Sequence, residues 1–409
     1  MRAQRSNRAA TAAIAGVLAA AAAAGGCGGE GDGDADPDAG GDGGAGLDAS
    51  ACPRAPRPAD GPRVAVISHP YDAAGGQAST YRLVALDAAG AATVTDTTFT
   101  MGRSTIGTIQ FTPDGEVGVV AQSDGSLGVF RLDAGGAVTV VHARFAGSFY
   151  AEHVVMGPGG DVAYVIDPNW REHGGGVYVV AIGCDGTLTD RGRWFASKSP
   201  RGLHLAGDRA LVAAADVDGA PAGHELHLLD AGAAPPARLA GADAFGDDDA
   251  IVGGTALTPD GRFALIGDTS QFSGLPNRVA VVERTGDALV ARQVLSPLED
   301  PLSIVASPFG DAALVVSGFG DHLIALDHAP AASPPFTVRG PLAYSGGRPE
   351  LPGHAVVIER GALRGLVLVA ENVGVRRVRF AAGGALTDLG KTSTGSGYQA
   401  IVGAIGVQP

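Results

Sequence analysis

Short apolar runs broken by tight turns fill the chain from residue 61 onward. Val117–Ala121, Ala163–Ile166, Ala210–Ala214, Phe263–Ile266, Ala313–Val316 and Leu366–Ala370 are nearly continuous apolar segments, as expected of strands covered on both faces. Gly128–Leu132, Val177–Ile182, Arg278–Val282 and His322–Leu326 follow as hairpin partners. No long helical period competes with them past the first 26 residues.

The turns between these runs repeat. One set carries glycine at positions 61, 115, 160, 207, 261, 310 and 361, best written in Thr258-Pro259-Asp260-Gly261. Proline presets φ early in such a turn, and glycine accepts a positive φ later in it. A second set follows about 20–30 residues after the first, as in Leu86-Asp87-Ala88-Ala89-Gly90 and Cys184-Asp185-Gly186. Each set recurs about seven times with a period of roughly 45–54 residues, which is the regime of propellers.

Four strands per repeat, A to D from the axis outward, predict an all-β, seven-bladed β-propeller of antiparallel blades. Thr112-Pro113-Asp114-Gly115, Thr258-Pro259-Asp260-Gly261 and Cys184-Asp185-Gly186-Thr187-Leu188-Thr189 resemble the lactonase-type propeller family. That family carries Pro-Asp-Gly after strand A and Asp-Gly-x-Leu-Thr after strand C. The resemblance covers about residues 61–407 and implies architecture more than activity. The first repeat lacks an upstream strand A, and the last segment, Tyr398–Ile405, reads as an orphan strand of that kind. It is expected to pair with Val64–Ser68 and close the ring, removing an exposed sheet edge.

Before the repeats lie two other compositions. Arg2, Arg5 and Arg8 precede the apolar run Ala9–Ala24, the pattern of a secretory leader over residues 1–26. Ala24-Gly25-Gly26-Cys27 resembles the lipobox of bacterial lipoproteins, with Ala24 where the family prefers Leu. The resemblance implies a lipid-modified Cys27 at the mature N-terminus; ordinary leader cleavage is the alternative. Residues 27–60, rich in Gly, Asp and Pro, are expected to form a disordered tether to the 61–409 propeller. The implied location is extracytoplasmic: the bacterial envelope, lipid-anchored, at the outer membrane or in the periplasm.

The net charge of −14 argues against nucleic acid as a partner. Aromatic residues make up 5% of the chain, so the core is expected to be Val, Leu, Ile and Ala between sheets, in a monomeric propeller. Of the three cysteines, Cys52 and Cys184 fall on the same face of the expected fold, where a disulfide suits an oxidising compartment.

The A–B and C–D turns are short and share one face, while the B–C and D–A connections on the other include long loops such as 69–79, 167–176, 216–225 and 268–277. Long loops on a rigid scaffold usually carry function, so a site is expected at the axial mouth of that face. Polar residues near the start of strand A are its candidates: Arg103, Glu152, His153, Arg201, His204, Asp247–Asp249, Glu299, Asp300, Glu350, His354 and Tyr398. His153, Arg201 and His354 are the catalytic candidates; Arg103, Glu152, Asp248, Glu299, Asp300, Glu350, Tyr398 and Trp170 are ligand-binding candidates. A solvated ring around a water-filled channel is the simpler account of the same residues. His153 and His354 are the most metal-like, although lone histidines are more often structural, and no metal site is assigned. Calcium at Asp248 is the one cofactor considered, and otherwise none is expected. Trp170 sits in a loop that could stack on a carbohydrate or peptide, or cover a blade edge.

Two functions compete. The first is an envelope-anchored scaffold binding a protein or small ligand through its long-loop face. The second is an extracytoplasmic lactone hydrolase, as the resemblance implies, with His153 or His354 as base and Arg201 facing the developing oxyanion.

Overall fold

Seven four-stranded antiparallel sheets form the blades of a β-propeller. The computed structural model describes residues 52, 54–72, 76–169, 174–197, 199–214, 224–246, 250–269, 277–296, 298–318, 320–395 and 403–409. The leader, Cys27, Trp170, Asp247–Asp249 and Tyr398 therefore lie outside the described residues.

The apolar runs form B and C strands whose alternate residues serve opposite neighbours. Ala313 and Val315 join the layer shared with the preceding blade, whereas Ala312, Leu314 and Val316 join the layer shared with the next. Seven buried clusters result, one at each blade interface. The core is thus a ring of seven thin layers, made mostly of Val, Leu, Ile and Ala.

The A–B turns behave as their residues dictate. Gly61, Gly115, Gly160, Gly207, Gly261, Gly310 and Gly361 all have positive φ. In the clearest copy, Thr258 Oγ1 donates to Asp260 Oδ1 at 2.6 Å and accepts from the Phe263 N–H at 2.9 Å. Asp260 Oδ1 also accepts from the Arg262 N–H at 3.0 Å. Thr112 and Asp114 repeat this arrangement one-for-one.

The C-terminus closes the ring. Strand β28 (Ile405–Val407) pairs antiparallel with β1 (Arg63–Tyr71), Ala65 opposite Val407 and Ile67 opposite Ile405. Ile405 also forms a parallel bridge to Thr108 in the next blade, so the closing strand is gripped from both sides. The register lies nearer the chain end than Tyr398–Ile405, because Ala404 and Gln408 make the flanking bonds to Ser68 and Val64. The loop expected over 69–79 is also shorter, since β1 runs to Tyr71 and β2 (Gln77–Leu86) begins six residues later.

Ordered packing starts before residue 61. Cys52 and Cys184 form a disulfide with Cα atoms 5.2 Å apart. Arg54, nearly fully buried, pairs with Asp114 at 3.0 Å and donates to the Gly183 carbonyl at 2.7 Å. The Arg57 N–H donates to the Pro113 carbonyl, and Asp60 accepts from the Ala362 N–H. Residues 54–60 therefore form a strap over the tight-turned face, running from the third blade across the second to the seventh.

Candidate functional site

The A strands of the second to seventh blades line an axial cavity of about 1010 Å³. Small residues let these inner strands approach one another. A Cβ on Gly254, for example, would stand 2.6 Å from the Ser303 Cα in the next blade.

Four chemically capable side chains gather where strand A begins, at the long-loop mouth. His153 opens β8 (His153–Met156), Arg201 is the second residue of β12 (Pro200–Ala206), and His354 directly precedes β24 (Ala355–Val357). Arg201 Nη1 donates to both carboxylate oxygens of Glu152, at 2.7 and 2.8 Å. Nε2 of His153 lies 3.9 Å from Glu152 Oε1. The His153 and His354 rings, from the third and seventh blades, face each other across the axis with centroids 5.6 Å apart.

Burial lowers the basicity of these imidazoles. His153 keeps about 20% of its side chain open to the channel but has protein on every side. Its pKa falls through desolvation, with Glu152 opposing and Arg201 reinforcing the fall. His354 is lowered to about 3, first by burial and then by His153 beside it. Both rings are neutral at neutral pH, so each offers a lone pair. Deeper in, His204 Nε2 lies 2.9 Å from Thr255 Oγ1, and burial lowers its pKa to about 4.

The architecture has close counterparts among solved structures. A candidate 6-phosphogluconolactonase of Bacteroides fragilis superposes with a TM-score of 0.60 at 12% identity, over 86% of this chain and 99% of that one. The periplasmic gluconolactonase of Pseudomonas aeruginosa gives 0.59 at 14% identity, over 85% and 100%. A functionally unknown protein of Desulfotomaculum acetoxidans gives 0.56 at 12%, over 84% and 98%. The likeness is one of fold. No protein-family model matches the sequence, and no curated protein matches it.

The remaining described candidates stand away from the axial cavity. Arg103 binds Ser123 Oγ at 2.8 Å and lies against the Tyr71 ring. Glu299 is mostly exposed beside His322, while Asp300 is buried with a positive φ of 35° at the start of strand A. Glu350 is mostly exposed and pairs with Lys391 at 3.0 Å.

Sequence reasoning missed several polar lining groups, among them Thr108, Gln110, Thr255 and Ser303 on the strands and Arg284, Glu359 and Arg364 toward the tight-turned end. A usable signal existed for two of them. His153, His354, Ser303 and Thr108 each lie seven residues before their turn glycine (160 − 153, 361 − 354, 310 − 303, 115 − 108). Glu299 and Glu350 lie eleven before theirs and Arg103 twelve (310 − 299, 361 − 350, 115 − 103). At about 3.3 Å per residue, those extra positions place them well out in the loops.

Proposed function

We propose that the axial channel binds a small polar ring and hydrolyses it as the lactone of a sugar acid. The observation that carries this reading is the convergence of Glu152, His153, Arg201 and His354 at one mouth of the cavity. A volume of about 1010 Å³ admits a ligand of that size with room for water. In the reaction, water adds to the lactone carbonyl carbon, the ring C–O bond breaks, and the ring oxygen takes a proton. The product is a hydroxy acid, released as its carboxylate with one proton. The Arg201 guanidinium suits both the developing oxyanion and the product carboxylate, which would compete with Glu152 for it. The neutral His153 ring, 3.9 Å from Glu152, is the group placed to accept a proton from water.

The likeness to a candidate 6-phosphogluconolactonase and to a periplasmic gluconolactonase favours a lactone over other esters. An unphosphorylated aldonolactone is the preferred substrate class, since the leader-like residues 1–26 and the lipobox-like Cys27 support an extracytoplasmic, membrane-tethered protein. The test is proton release on a panel of aldonolactones. Arg201→Ala and His153→Ala are each expected to lower kcat/KM at least 100-fold with unchanged melting. No turnover above the buffer rate across the panel would overturn the reading. Capture of an envelope protein alongside that inactivity would support a scaffold instead.

A further inference from the structure

The two facing histidines have a geometry that hydrolysis does not require. They come from blades on opposite sides of the axis, and neither ring has a hydrogen-bond partner among the described residues. A polar ring left unpartnered at a channel mouth is an open donor site, and here two such rings face one another.

We propose that His153 and His354 bind one borderline divalent metal ion, such as zinc, with Glu152 as third protein ligand. A tetrahedral ion holding two imidazoles at about 2.0–2.1 Å sets their ring centroids roughly 5.2 Å apart. The observed centroid separation is 5.6 Å, within a few tenths of an ångström of that value. Two donors on such an ion lie about 3.3 Å apart. His153 Nε2 and Glu152 Oε1 are 3.9 Å apart, again one small side-chain adjustment away. Among the described residues no three His, Cys, Asp or Glu side chains already surround a point, so the third ligand arrives by that adjustment. Arg201 would keep the other carboxylate oxygen, orienting Glu152 as second-shell partners orient ligating carboxylates. Water completes the coordination, and imidazole nitrogen with one carboxylate is a donor set suited to zinc, copper or nickel rather than calcium.

The site uses the lone pairs that the hydrolytic reading gives to proton transfer, so binding is measured without lactone and hydrolysis on chelator-treated protein. Either reading can then fail alone. Titration of the metal-free protein with zinc, read by competition with a chromophoric chelator, is expected to show one equivalent per chain at micromolar affinity or tighter. His153→Ala and His354→Ala should each weaken it at least 30-fold, and Glu152→Gln about 10-fold. His142→Ala and His224→Ala, on other parts of the surface, should leave it unchanged. Zinc should also raise the melting temperature of the wild type and not of the double histidine variant. Should an alanine variant fail to fold, His153→Gln and His354→Gln are read in its place. Absence of binding by the wild type at millimolar zinc, or unchanged affinity in the double variant, overturns the proposal.

Discussion

Arg376 is a buried cation held between two buried carboxylates. It is almost completely buried, contacts Glu371 through Nε and reaches Asp388 from Nη1 at 2.7 Å. Its Nη2 donates to the Gly347 carbonyl at 3.1 Å. Burial alone would lower its pKa, but the two carboxylates outweigh that and raise it. Arg376→Met would leave buried Asp388 without its cation and buried Glu371 with only Lys391 at 3.8 Å, and a loss of about 3–5 kcal/mol in denaturant unfolding is expected. By contrast Arg144 and Asp124, 65% and 39% exposed, should be worth under about 1 kcal/mol. His204 gives the molecule a pH dependence. Its folded pKa of about 4 lies below the ordinary 6.5. Its contribution is complete above pH 6.5 and shrinks as pH falls toward 4, where the unfolded chain takes up a proton that the channel refuses. Between pH 7.5 and 5.0 the stability loss of the wild type should exceed that of His204→Gln by about 1–2 kcal/mol, allowing for partial solvent contact. Equal losses would assign the dependence elsewhere.

At the scale of the element, the Thr-Pro-Asp-Gly turn is a closed hydrogen-bonding unit. Thr258 Oγ1 holds both the Asp260 carboxylate and the Phe263 N–H, and Gly261 turns at φ +67°. Burial pushes the Asp260 carboxyl up, but its bonds from Thr258 and the Arg262 N–H bring the net pKa below the usual range. Thr258→Val keeps the shape and loses both bonds, with an expected cost of about 1–2 kcal/mol. Gly261→Ala should cost about 1–2 kcal/mol for a different reason, the left-handed conformation forced on a Cβ. Urea titration of the two variants, and of the matching Thr112→Val, should show the same cost at both turns. Substitutions here should leave the Glu152, His153, Arg201 and His354 cluster untouched, since Thr258–Gly261 line the same cavity at the end opposite that mouth.

For the whole molecule, stability depends on closure, because each of the seven core layers needs two blades. Ile405 is fully buried in the layer between the seventh and first blades. Deleting Ala404–Pro409 would open that layer and bare the edge of β1, so loss of cooperative melting is expected. A truncated chain that melted as the full one does would refute the closing role of β28. The strap adds a separate constraint. Cys52 and Cys184 are 132 residues apart, a separation at which a disulfide typically contributes about 2–4 kcal/mol. Cys52→Ser should lower stability by that order and make residues 54–60 susceptible to proteolysis, with little effect at the opposite mouth.

The repeat, its turn chemistry, the polarity of the faces and the need for a closing strand were all legible in the chain. Each follows from local rules: apolar alternation, the φ that glycine permits, and a blade that begins one strand short. The composition of the axial site was only half legible. Glu152, His153, Arg201 and His354 could be named as polar residues near strand A, but so could Arg103, Glu299, Asp300 and Glu350. What separates them is distance from strand A, since Arg103, Glu299 and Glu350 lie out in the loops, while irregularities at Pro200/Gly202, Val252/Thr255 and Pro301/Ser303 shift the register at the start of strand A in three successive blades. A one-residue slip turns a side chain from the channel to the blade interior. Thr258–Gly261 could therefore mark which face to search, by sequence alone. That His153 and His354, some two hundred residues apart, meet across the axis is decided only when seven blades pack and the ring closes.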